Sequence, residues 1–124
     1  WKEGKCLTWD VTVADTFAAT YVSATSVKAG EAAARLAANK RDKYEEITHT
    51  HLFCPIAVET MGPVEDEGRD LLSAIGHLSH HKITKITGDL RETSFLFQRL
   101  SVIIQRGNAA AFRGTFPRPT PDTF

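Results

Sequence analysis

Cysteine is scarce in this chain. Only Cys6 and Cys54 occur in 124 residues, beside a single methionine. Both cysteines sit within apolar runs and read as small buried hydrophobes, which excludes a disulfide framework. An excess of either charge is also lacking. Lys+Arg and Asp+Glu stand at 15 each, so bulk charge supplies no attraction to nucleic acid, and any basic surface must come from local clustering. No stretch is apolar for long enough to span a membrane, and no signal peptide is visible. The chain opens on Trp1 without a methionine and reads as a piece cut from something longer, with an intracellular setting as the default.

What is present is enough for one packed domain. Apolar residues make up 42% and charged residues 24%, an ordinary balance for a globular chain. Trp1 to Lys5 reads as the end of one strand and a tight turn at Gly4. From Cys6 to Val13 the pattern has period two: Leu7, Trp9, Val11 and Val13 share one face, while Thr8, Asp10 and Thr12 share the other. That is a half-buried strand with its apolar face inward. Residues 14–28 are rich in Ala, Thr and Ser and carry no clear period.

Gly30 precedes a helix expected from Glu31 to about Ile47, built on five alanines of high helix propensity, with an acid in its first turn. Leu52 to Val58 is nearly all apolar and reads as a strand covered on both faces, in parallel pairing after the helix. Pro55 within it requires an edge position or a bulge. Glu65 to His81 reads as an amphipathic helix with Leu71, Leu72, Ile75 and Leu78 inward. Lys82 to Thr87 fits a strand or a frayed connection equally. Asp89 and Glu92 have capping-box spacing. They would open a deeply packed helix from Leu90 to about Gly107, with room to continue through Ala109 to Ala111. Pro117, Pro119 and Pro121 mark an extended tail. Strand, helix, strand, helix, helix is an α/β layer order.

The chemistry starts at the first helix. Its inward seam runs Ala33, Leu36, Lys40, then Lys43 or Tyr44, then Ile47, at spacings of three and four. Lys40 therefore falls on the face that turns to the sheet. An ammonium there needs a partner or a wet cleft, and Asp10 is the nearest candidate. Three readings stand: lysines that snorkel past the helix end, a structural Asp10–Lys40 pair, or a phosphodiester-cutting site. In the last, Asp10 would ligate magnesium, a hard cation that prefers oxygen. The metal would polarise the phosphate, and lysine would stabilise the charge that develops. A second acid is then needed. Glu59, at the end of the second strand, is one possibility beside its reading as a solvated strand-end acid.

Three runs carry a resemblance: Leu-Thr-Trp-Asp-Val-Thr-Val (7–13), Lys-Arg-Asp-Lys-Tyr (40–44) and Phe-Cys-Pro-Ile-Ala-Val-Glu-Thr-Met-Gly-Pro (53–63). Together they resemble the restriction-endonuclease-like domain, of the PD-(D/E)XK superfamily, downstream of the reverse transcriptase in non-LTR retrotransposon polyproteins. The resemblance covers most of residues 1–116 and implies a truncated core, a short mixed sheet flanked by helices, with a buried C-terminal helix. The family pattern is Pro-Asp before a hairpin, a second Asp on the next strand, and Lys-x-x-Lys-Tyr on the following helix. Asp10 matches the second Asp and would be the metal ligand. Lys40 would be the catalytic lysine, with Lys43 and Tyr44 in support. The implied cofactor is Mg2+. The implied partners are DNA and the reverse transcriptase portion of the same polyprotein, with a nuclear setting for the parent protein. The family's Pro-Asp would lie just before Trp1, so this piece would hold half of the metal site. Nicking DNA to expose a priming hydroxyl is the role implied for the parent. A non-catalytic nucleic-acid-binding or structural remnant of the same domain is the alternative.

Two weaker patterns remain. Arg99, Arg106 and Arg113 recur every seven residues and on one helix form a stripe. It would track DNA phosphates or simply be the solvated face of a buried helix. His49 and His51 would point the same way on a strand, and His77 and His81 stand one helical turn apart, with His80 between them. That spacing can hold zinc, although the acid of the metalloprotease motif is absent.

Overall fold

The computed structural model describes residues 1–87 and 92–116, with side chains described for 1–78 and 93–116. Asp89 of the expected capping box and the proline-rich tail lie outside these residues. Within them the fold is mixed α/β: strands β1 (Leu7–Ala14) and β2 (Leu52–Glu59) and helices α1 (Val22–Thr25), α2 (Glu31–Lys43), α3 (Asp66–Thr87) and α4 (Glu92–Gly114).

The expected turn is present. Glu3 and Gly4 have φ of 53° and 70°, and Lys2 and Lys5 bridge in antiparallel fashion across them. Two successive residues with positive φ are the mark of a hairpin turn. Strands β1 and β2 pair in parallel, Leu7 opposite Leu52 through Ala14 opposite Glu59. The sheet is thus parallel where a mixed one was expected; antiparallel pairing is confined to isolated bridges. Leu52 donates to the Cys6 carbonyl, whereas Glu59 donates to Pro63 on the other side. Odd-numbered residues of β2 therefore turn their backbone away from β1. Pro55 is one of them, so its missing N–H falls on the outer edge and no bulge is needed.

Helix α2 covers one sheet face. Ala33 and Ala37 are buried against Ala57 with Leu36 beside them, and these small side chains let helix and sheet approach closely. The helix ends at Lys43, and a 3-10 turn continues from Glu45 to His49. On the opposite face Cys54, Ile56, Val58 and Leu71 form the main core, joined by Leu7, Val64, Leu72, Ile75 and Ile104. Helix α3 starts hard against β2: a Cβ on Gly68 would stand 3.1 Å from Ile56 Cα. Arg41 of α2 and Glu67 of α3 form an ion pair.

Several expectations are corrected. Trp9, Val11 and Val13 are 55%, 58% and 59% exposed, so the apolar face of β1 is outward for most of its length. The physical reason is coverage: α3 packs on β2 and does not extend over β1. The face of Asp10, Thr12 and Ala14 is the covered one, beneath α2. Cys6 is exposed and only Cys54 is buried. Leu78 is exposed. Residues 82–87 continue α3 as helix. Helix α4 does run on through Ala111, but it is not deeply packed, and Val102 and Ile103 face solvent.

Candidate active site

Asp10 lies mid-strand, opposite Pro55, on the sheet face beneath α2. Lys40 lies in the last turn of α2, where a cation suits the helix C-terminus. Lys40 Nζ and Asp10 Oδ2 are 2.8 Å apart, and the side chains retain 25% and 29% of their exposure. The two residues that the seam placed on facing surfaces do meet, in a notch that water reaches.

Tyr44 closes one side. It caps α2, and its ring packs at a tilt on Phe53, with centroids 5.1 Å apart. The Lys43 ammonium sits 5.2 Å from the Tyr44 ring centre and that of Lys40 6.0 Å. The ring is thus a shared platform for two cations. Asp10, Lys40, Lys43 and Tyr44 form one cluster, as expected. Phe53 was not anticipated, since periodicity marks it only as a strand residue.

The charges respond to this arrangement. The hydrogen bond from Lys40 holds the Asp10 carboxyl below its ordinary value of 3.8, against the opposing effect of desolvation; the charge of Lys40, the Tyr44 hydroxyl and the charge of Lys43 lower it further. The hydrogen bond to Asp10 raises the Lys40 ammonium above its ordinary 10.5, again against desolvation. Both groups are therefore ionised at neutral pH. The notch presents a carboxylate already paired with one ammonium and flanked by a second.

Glu59 does different work. It is fully buried. Its Oε1 accepts the amides of Ala32 and Ala33 at 3.0 and 3.3 Å, and Oε2 accepts the Thr16 hydroxyl at 3.3 Å. Gly30 occupies the N-cap of α2 with φ of 86° and offers no side chain, so the first amides of the helix need an acceptor from elsewhere. Glu59 supplies it from the end of β2. Four residues of strand separate it from the level of Asp10, about 13 Å. Its carboxylate is neither solvated nor beside Asp10. A helix opening on glycine was the signal for this role.

Comparisons of the chain with protein-family models, curated proteins and solved structures found no match.

The described residues do not by themselves fit a magnesium site. One carboxylate faces the notch, and no group of three or more His, Cys, Asp or Glu able to hold a metal occurs among them. His49 ends the 3-10 turn and His51 follows it, so the strand expected to align them is absent there. His51 Nδ1 lies 2.8 Å from the Thr50 hydroxyl. His77 is exposed, and the side chains of His80 and His81 lie outside the described residues. Arg99, Arg106 and Arg113 are all exposed on α4. Because α2 covers one sheet face and α3 and α4 pack on the other, the arginines stand across the sheet from the Asp10 notch.

Proposed function

We propose that this chain contributes the lysine-bearing half of a phosphodiester-cutting site of the DNA-nicking endonuclease kind. The observation that carries the proposal is the Asp10–Lys40 pair at 2.8 Å in a solvent-reached notch between strand and helix. Family likeness supplies the substrate class: DNA, in the service of a retroelement polyprotein. Lys40 holds a positive charge where a phosphate oxygen can replace the Asp10 carboxylate, and developing negative charge is stabilised there. Lys43 adds a second cation, and Tyr44 fixes both through its ring. Asp10 keeps Lys40 protonated and oriented until substrate arrives. Magnesium, which the likeness implies, supplies Lewis-acid chemistry in such sites; here it needs oxygen ligands beyond Asp10.

That one carboxylate among the described residues faces the notch favours a second reading, a domain that binds DNA without cutting it. Nicking of supercoiled plasmid in magnesium by the chain extended before Trp1, so that the other half of the site is supplied, separates the two. Cutting abolished by both Asp10→Ala and Lys40→Ala supports the nuclease. Equal nicking by wild type and both variants points to a contaminant and removes this site. No nicking, with plasmid binding retained in Asp10→Asn and lost in Lys40→Ala with Lys43→Ala, selects the binding domain.

A further inference from the structure

Helix α4 has two unlike faces. Phe97, Leu100, Ile104 and Asn108 recur at spacings of three and four and turn inward. Ile104 joins the core, and Asn108 donates to the Thr60 carbonyl at 2.7 Å. On the outward face, Arg99, Arg106 and Arg113 recur every seven residues. Seven residues bring a helix back to within about 20° of its starting direction, so the guanidiniums form a single column. Val102 and Ile103 flank that column on its two sides, 57% and 64% exposed. A purely solvated face would be polar throughout.

Charge narrows the occupant. Residues 93–116 contain no acid, and no ion pair ties the three arginines among the described residues. A second copy of this face laid against the first would set arginine against arginine. A phosphate backbone would satisfy the guanidiniums and leave Val102 and Ile103 wet, and the column lies across the sheet from the Asp10 notch. An amphipathic helix with its own seven-residue period satisfies both features: carboxylates take the fork of each guanidinium, and apolar residues cover the two flanks.

We infer that the outward face of α4 docks an amphipathic helix of a protein partner, one that carries carboxylates at seven-residue spacing between apolar side chains. The probe is a labelled synthetic helix of about three heptads with Glu at every seventh position and Leu on either side, followed by fluorescence anisotropy. Its composition-matched scramble and its Glu→Lys counterpart are the controls. The whole chain binds the Glu peptide and neither control. Arg99→Glu with Arg106→Glu weakens that binding by about tenfold or more and gains affinity for the Lys peptide. Val102→Ser with Ile103→Ser also weakens binding of the Glu peptide, which guards against misfolding of the charge variant. Asp10→Asn leaves peptide binding unchanged, which separates this face from the notch.

Equal binding of peptide and scramble overturns the inference, as does no binding at all. Duplex DNA or phosphatidylserine vesicles retained through the arginines while the peptide is ignored would assign the face to those partners instead. A dimer in sedimentation that Ile103→Ser dissolves would assign it to a second copy.

Discussion

Lys40 Nζ donates to Asp10 Oδ2 at 2.8 Å, joining the last turn of α2 to the middle of β1. The carboxyl is held below 3.8 and the ammonium above 10.5, so the signs of their pH linkage differ. Asp10 contributes stability above its unfolded value, and that contribution is lost as pH falls through the lowered folded value. Lys40 contributes below its unfolded value and loses its share as pH rises through the raised one. A double-mutant cycle with Asp10→Asn and Lys40→Met, read by urea melts, therefore shows favourable coupling at neutral pH. The coupling fades well below about pH 4 and above about pH 10.5. Coupling that is flat across the whole range would show that the pair does not form in solution.

Removing the Glu59 carboxylate leaves the buried Ala32 and Ala33 amides without an acceptor. Glu59→Ala is expected to destabilise the chain by about 2–4 kcal/mol in chemical denaturation. Glu59→Gln keeps one acceptor and should cost about 1 kcal/mol, mostly from the lost attraction to the helix N-terminus. Were Glu59 instead a ligand in the notch, the Gln variant would fold as well as wild type and lose only cation-dependent activity.

Crossing of α3 and α4 depends on Gly76. A Cβ there would stand 2.9 Å from Thr93 Cα and 2.7 Å from its hydroxyl. Alanine is the better helix former by about 1 kcal/mol, yet overpacking costs about 1–3 kcal/mol. Gly76→Ala should therefore lower the melting temperature, and Thr93→Ala should recover little of the loss because the closer carbon is backbone. A higher melting temperature for Gly76→Ala would show that the helices are further apart.

Along β1, the backbone groups of Leu7, Trp9, Val11 and Val13 face away from β2, as the bonds to Cys6 and Ala14 on its inner side require. Among the described residues nothing pairs with that edge over Trp9 to Val13. An open, apolar edge strand invites edge-to-edge pairing. Val11→Lys should lower self-association in light scattering and leave the urea midpoint within about 0.5 kcal/mol of wild type. Unchanged scattering would locate any self-association elsewhere.

Periodicity and order were enough for much of this fold. The alternation from Leu7 to Val13 marks β1, the alanine-rich run after Gly30 marks α2, and the short apolar run from Leu52 marks β2, with Pro55 open to an edge position or a bulge. A parallel pair joined by a helix puts Asp10 and Lys40 in the same strand–helix unit, and the lengths of α2 and of the connections bring the two together. Sequence alone did not show that Glu59 is a cap, since a strand-end acid looks the same whether solvated or buried under a helix.

Local pattern thus determined which residues share a face, and it set Lys40 on the helix face that turns to the sheet. Only the tertiary structure decided which faces are covered. Trp9, Val11 and Val13 alternate as a buried row does, and Val102 and Ile103 are as apolar as any core position, yet both sets meet solvent because α3 packs over β2 and along one side of α4. Alternation is a property of a few neighbouring residues, whereas burial requires a partner from far along the chain, and its position is set by how the whole core packs.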